Sequence, residues 1–223
     1  MSGKEELSVK GSEPSSTRLV ATLGFAGLLS GLIIVSVFEA TLPTITAYKA
    51  KVLKEAVFTV LPGVSGMQRL TYRDGHMIAA VGDEDEEDVV FGGYDADGEL
   101  IGYAVPSAGP GFQDTIRLLY GYLPQERKVV GMEILQSRET PGLGDKIYKD
   151  AAFVANFSAL SIDPEIVTVK KGARSALNEV DAITGATISS KAVVQIINRG
   201  NQRWVPRFSG EETPSKPTPS GGG

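Results

Sequence analysis

The run LVATLGFAGLLSGLIIVSVF, Leu19 to Phe38, is twenty residues without a charge. At 1.5 Å per residue, a helix of that length spans roughly 30 Å, the hydrocarbon thickness of a bilayer. Nothing else in the chain constrains its fold as strongly. The run is longer than the about 7–15 apolar residues of a signal peptide, and no clean small-x-small cleavage site follows it. It therefore reads as an uncleaved transmembrane anchor. Gly24, Gly27, Ser30 and Gly31 recur every three or four residues. They could form a face for a second membrane helix, or simply reflect how common glycine is in such helices. Basic residues are balanced across the span, with Lys4, Lys10 and Arg18 before it and Lys49, Lys51 and Lys54 after it. The positive-inside rule ties, and only Arg18 at one boundary against Glu39 at the other leans toward an inside N-terminus.

The organisation that follows is a cytoplasmic segment over 1–18, the transmembrane helix over 19–38, an extracytoplasmic domain over 39–208, and a disordered tail over 209–223. The tail, SGEETPSKPTPSGGG, is rich in Pro, Ser and Gly and has too little apolar surface to order itself. Roughly 165 residues remain, enough for one domain with a core. The chain carries a net charge of −5 and has no basic stripe interleaved with aromatics, so nucleic acid is not an expected partner. It has no cysteine, which excludes thiolate zinc sites and cysteine-ligated clusters within it. No metal site is expected. The single histidine, His76, sits in the turn-like YRDGHM and is expected at the surface. The acidic run Asp83 to Asp88 lacks the EF-hand spacing and reads as a solvated charge run.

After the anchor, TAYKAKVLKEAVFTVLPG has helical spacing and stops at Pro62-Gly63. VVFGGYD and ELIGYAVP flank the turn cluster DADG, and DTIRLLYGYLP and KVVGMEILQ flank QER, which predicts successive antiparallel strands. YKDAAFVANFSAL reads as a helix, IVTVKK as a strand, and a last helix is expected from about Thr187 to Asn198. Strands first and helices later point to an α+β domain, an antiparallel sheet with packed helices.

Three segments carry residues suited to a ligand. Ser107 to Asp114, SAGPGFQD, places Phe112 after Gly109, Pro110 and Gly111; it is either a ligand-facing loop or a hairpin whose Phe112 enters the core. Ser137 to Ile147, SRETPGLGDKI, combines glycines, a carboxylate, a hydroxyl and Leu143 at a loop tip. It could offer the N–H groups of Gly142 and Gly144 to a planar ring, or be an irregular connection with Asp145 as a helix cap. In DAITGATISS, Thr184 or Asp181 can cap the incoming helix. Its N-terminus presents unpaired N–H groups and the positive end of the dipole to an anion. Gly185 and Ala186 let a bulky group approach, Thr187 places a hydroxyl there, and Ser189 and Ser190 add donors. Simple capping needs one hydroxyl only.

DAITGATISSKAVV resembles the flavinylation motif Asp-x-x-[Ser/Thr]-Gly-Ala-Thr of FMN-binding domain proteins, and ETPGLGDKI resembles the second signature of that family. With one N-terminal anchor, the chain resembles the G subunits of Rnf electron-transport complexes over about residues 15 to 205. The C subunits of sodium-translocating NADH:quinone reductases are related and generally longer. The resemblance implies FMN bound covalently through its phosphate to Thr187, attached by a separate flavin transferase. No base in this sequence is evidently poised to activate Thr187, which suits a modified substrate, and no residue is expected to be catalytic. Thr184, Gly185 and Ala186 are expected to hold the phosphate end. Glu139, Thr140, Gly142, Leu143 and Gly144 are expected to line the ring or the ribityl chain, and Phe112 to lie near the flavin. Thr184 stands where relatives often have Ser, and relatives can carry a larger ring at Phe112. Lys170, read as lying on the strand before the motif, would bring positive charge near the flavin. The implied role is electron relay, within a ferredoxin:NAD+ oxidoreductase that moves Na+ or H+. The implied partners include polytopic membrane subunits, and the flavin domain would lie on the periplasmic or extracytoplasmic side of the cell membrane. The rival readings are a tethered ligand-binding domain without a redox group and a flavin domain of a different system.

Overall fold

The computed structural model describes residues 15–82 and 88–208. The N-terminal fourteen residues, the acidic run up to residue 87 and the tail from 209 onward lie outside them. The described chain divides into two compact units, one ending at Ala50 and one beginning at Lys51. Among the described residues one helix, α1 (Ser16–Val60), is long and apolar enough to cross a membrane. The apolar run and the helix expected after it are thus one continuous element. Its apolar side chains are exposed, Leu23 by 73% and Leu28 by 70%, as a lipid-facing helix requires. The hydroxyl within the apolar run at Thr22 donates to the Arg18 carbonyl at 2.8 Å, and Thr41 and Thr46 bond back one turn in the same way. Such back-bonding satisfies a hydroxyl where no water is present. Pro43 lies inside the helix without ending it.

In the second unit, the last turns of α1 lead into β1 (Gly66–Arg73), β2 (His76–Ala79), β3 (Val89–Tyr94), β4 (Leu100–Pro110), β5 (Thr115–Leu123) and β6 (Lys128–Gln136). With the short β7 (Leu160–Ser161) they form a seven-stranded antiparallel sheet in the order β2-β1-β3-β4-β5-β6-β7. The α+β reading holds, and β6 has the expected bounds. The β1–β2 hairpin turns at Asp74 and Gly75, both at positive φ, and His76 begins β2 as an exposed residue. This hairpin adds two strands to the expected set; GMQRLTYR mixes polar and apolar residues without clean alternation and so carries no strand signal.

Alternation along β5 sorts the two faces. Ile116, Leu118, Tyr120 and Tyr122 point to the larger core cluster, while Leu119 joins Ala56, Val57, Val60, Leu61, Val89, Phe91 and Ala104 in the second. The end of α1 lies so close to the sheet that a Cβ on Gly121 would stand 2.0 Å from the Val60 carbonyl oxygen.

The expected helix over 148–160 is broken into α2 (Lys146–Lys149), α3 (Ala151–Ala155) and a 3-10 turn (Asn156–Ala159). Asp150 is the cause. Its backbone is extended at ψ 101°, and its carboxylate accepts from the N–H groups of Ala152 and Phe153, so it restarts the helix as an N-cap. β8 (Val167–Val169) pairs in parallel with β9 (Glu179–Asp181), a separate two-stranded sheet. The final helix, α4 (Thr187–Phe208), begins where expected and runs ten residues further than Asn198. Burial draws it on: Trp204 is 1% exposed, and Phe208 stacks on Tyr103 with centroids 4.0 Å apart.

Candidate functional site

The three motif segments converge at the start of α4, and one buried carboxylate joins them. Glu139, 5% exposed, follows β6. Its Oε1 accepts from the N–H groups of Phe112 at 2.9 Å and Gln113 at 3.0 Å, both in the turn joining β4 and β5. Its Oε2 accepts from the Ser189 hydroxyl in the first turn of α4. Two glycines make room for this arrangement. A Cβ on Gly111 would stand 2.5 Å from Glu139 Oε1, and one on Gly144 would stand 2.7 Å from Oε2. Glu139 and Gly144 therefore face inward and hold the site together, where the sequence reading expects both to line the ring or the ribityl chain.

The β4–β5 loop is shorter than expected, because β4 pairs through Pro110 with Thr115. Only Gly111 to Asp114 turn, closed by the Gly111 N–H on the Asp114 carbonyl at 2.9 Å. Phe112 sits at that tip, 60% exposed, and does not enter the core. In the next segment, the Thr140 carbonyl accepts from Leu143 at 3.1 Å and Asp145 at 3.3 Å. This tight turn needs Gly142 at φ 79° and presents Leu143, 49% exposed. The Asp145 side chain does not cap α2. It pairs with Lys149 at 2.6 Å, and that hydrogen bond, with a smaller part from the Gly142 N–H, holds its carboxyl below the usual carboxylate range.

The third segment departs most from expectation. Asp181 caps nothing at α4: its carboxylate accepts from the N–H groups of Gly172 at 3.0 Å and Arg174 at 3.2 Å. Ser190 is buried and shapes the turn. Its hydroxyl accepts from the Ile183 N–H at 3.1 Å and donates to the Ala186 carbonyl at 2.9 Å. Ser189 and Ser190 are thus consumed internally and offer nothing outward. Ala186 precedes the helix and has no capping atom, so the N–H groups of Thr187, Ile188 and Ser189 keep the unpaired state of a helix N-terminus. Thr184, Gly185 and Thr187 are exposed around them, with Gly185 at φ 84°. A Cβ on Gly185 would stand 3.8 Å from Leu143 Cδ2, which brings the second and third segments into contact.

Lys170 is not on a strand. It follows β8 as an exposed residue whose carbonyl closes a turn with Ala173, and the strand directly before the motif is β9. The organising role of Ser189 escapes sequence reasoning because its pairing with Glu139 across 50 residues leaves no mark on local spacing. Among the described residues no group of acidic or histidine side chains could hold a metal.

This site lies within residues 111–202, which match the FMN-binding domain family. The solved NqrC of Shewanella oneidensis shares the fold, with a TM-score of 0.56 at 18% identity, covering 74% of this chain and all of that one. The C subunit of a Na+-translocating NADH-quinone reductase from Parabacteroides distasonis does so at 0.54 and 23%, covering 67% of this chain and 80% of that one. Relatives by sequence include the G subunit of the Na+-translocating ferredoxin:NAD+ oxidoreductase complex of Acetobacterium woodii, 34% identical across 64% of this chain and 69% of that protein. The G subunit of the proton-translocating ferredoxin:NAD+ oxidoreductase complex of Clostridium ljungdahlii is 31% identical across 75% and 90%. On the strength of these relatives, the chain belongs to the family of G subunits of ion-translocating oxidoreductase complexes, the Rnf complexes.

Proposed function

We propose that Thr187 carries FMN as a phosphoester and that the chain relays electrons within a ferredoxin:NAD+ oxidoreductase complex coupled to Na+ or H+ movement. The observation that supports this most directly is the exposed Thr187 hydroxyl beside uncapped N–H groups at the start of α4. A phosphate ester there meets the positive end of the helix dipole. Gly185 at positive φ and the exposed Thr184 leave its approach open. Leu143 and Phe112, both exposed large apolar residues, supply surface against which a flat ring can pack. Thr140 and Gly142 shape the turn that presents Leu143, and Glu139 and Gly144 fix its position relative to Ser189. The residues thus fit the group that the family name implies. FMN, when bound, supplies one- and two-electron redox chemistry; the protein supplies attachment and orientation.

A separate flavin transferase would form the ester. Glu139, the buried carboxylate that joins the three segments, is committed to Phe112, Gln113 and Ser189 and is not free to act as a base. The uncharged span has no side chain suited to conduct a cation, so ion movement falls to polytopic partners in the complex. The flavin domain would lie on the periplasmic or extracytoplasmic side, with the N-terminal segment inside. The relatives named above are designated for sodium in one organism and for protons in another, so the cation belongs to the whole complex and not to this protein family.

Intact mass of the chain, made in cells that contain the transferase, tests the ester. The native chain should carry one FMN-phosphoryl increment and Thr187→Ala none; an unmodified native chain overturns the reading. Lys170 would favour reduced anionic flavin by its charge, and an unchanged flavin potential in Lys170→Ala removes it from the site.

A further inference from the structure

A second site is built between β4 and α4, further along the helix than the proposed flavin attachment. A cavity of about 190 Å³ is lined there by Ser107, Ile196, Arg199, Gly200, Arg203 and Trp204. Arg199 and Arg203 are one turn apart on α4, a spacing at which like charges repel. Arg203 is balanced by an ion pair with Asp88. Arg199 is exposed and forms no ion pair or hydrogen bond among the described residues. Its guanidinium reaches back over β4, with Nη1 3.4 Å from where a Gly109 Cβ would stand. Two hydroxyls approach the same wall: Ser107 Oγ and the Tyr120 hydroxyl oxygen each lie 2.6 Å from the position of a Gly200 Cβ. Tyr120 is 1% exposed, yet its hydroxyl has no hydrogen-bond partner among the described residues. Burial raises its pKa well above the usual phenol value, so it remains a donor at neutral pH.

An unpaired guanidinium and a serine hydroxyl on the wall of one cavity, with the Tyr120 hydroxyl beside the same Gly200, bring hydrogen-bond donors together. We propose that this cavity binds a compact oxyanion, the carboxylate or phosphate group of a small molecule, through Arg199 and Ser107. Arginine matches both groups with a planar fork of donors. At about 190 Å³ the cavity is smaller than pockets for drug-sized ligands, which run to about 300 Å³ and more, and it suits a small group. Ile196, Trp204 and Pro106 give the remainder of the cavity an apolar lining suited to a short carbon body. At 1.5 Å per residue, Arg199 lies roughly 18 Å along α4 from Thr187, so this site is separate from the flavin ester and does not depend on it.

The single tryptophan, Trp204, lines the cavity and reports on its contents. The full chain in detergent is titrated with sodium phosphate and, separately, with sodium acetate, against sodium chloride at equal ionic strength. A saturable change in Trp204 emission is expected with at least one of the two, and which one responds distinguishes a phosphate-bearing from a carboxylate-bearing ligand. In Arg199→Gln the affinity should fall about tenfold or more, with a smaller loss in Ser107→Ala. Lys171→Gln, an exposed change outside the cavity, should leave it unaltered. Failure of both anions to saturate, or equal binding by Arg199→Gln and the native chain, overturns the proposal. Far-UV circular dichroism of each variant verifies the fold.

Discussion

Replacing Glu139 with alanine should be among the most damaging single changes available near the candidate site. The carboxylate accepts three hydrogen bonds, from Phe112, Gln113 and Ser189. Alanine strands all three donors. Phe112 is 60% exposed, so water takes part of the loss at the two N–H groups, about 1 kcal/mol each. Ser189 is 3% exposed, and its stranded hydroxyl costs about 2 kcal/mol more. The total, about 4 kcal/mol, corresponds to a melting temperature roughly 8–16 °C lower for a domain of this size. Glu139→Gln keeps one oxygen for the two N–H groups and puts an amide against Ser189, whose hydroxyl can turn to accept. Its cost should be about 1–2 kcal/mol. Trp204 is the assay: it is buried in the larger core cluster, so its emission follows the domain and not the membrane helix. The reasoning is refuted if alanine and glutamine are equally mild, each below about 1 kcal/mol, because the carboxylate would then fasten nothing.

Two further outcomes follow from contacts already described. Gly121→Ala drives a Cβ into the Val60 carbonyl and should cost about 3 kcal/mol or more; an unchanged melt would mean that the end of α1 yields freely. The Asp145–Lys149 pair should stabilise the domain at neutral pH. Because the Asp145 pKa is depressed in the folded chain, that contribution is complete above the ordinary aspartate value of about 3.9 and is lost as pH falls through the depressed one. The stability difference between the native chain and Lys149→Met should therefore be constant from about pH 5 to 8 and vanish on strong acidification. A difference that persists in acid would assign the effect to packing of the lysine stem.

The fold is most legible where residues obey one local rule. β3 through β6 alternate or run apolar between turn clusters, and all four can be read from the sequence, β6 to the residue. The start of α4 is legible because Thr-Gly-Ala-Thr is both a helix entry and a family signature. Its end is not, since Gly200 and Pro206 look like stops and only the stacking of Phe208 on Tyr103 explains why the helix continues. The break at Asp150 is hidden because an aspartate inside a helical pattern can be a surface residue or a cap, and tertiary context decides. In the candidate site, the segments that converge are legible and the roles of their polar groups are not. Glu139, Ser189 and Ser190 read as groups facing a ligand, yet each spends its polar atoms inside the protein. Long-range pairing also makes Asp181 a partner of the loop at Gly172 instead of a helix cap.

The seat of Val60 against Gly121 has a practical corollary for excising a water-soluble fragment. Hydropathy invites a cut at Pro62-Gly63, where the helical pattern stops. That cut would strip Ala56, Val57, Val60 and Leu61 from Phe91, Ala104 and Leu119, and leave one side of the sheet bare and sticky. A fragment that starts by Lys51 retains those turns as its own lid, while discarding every residue of the uncharged run.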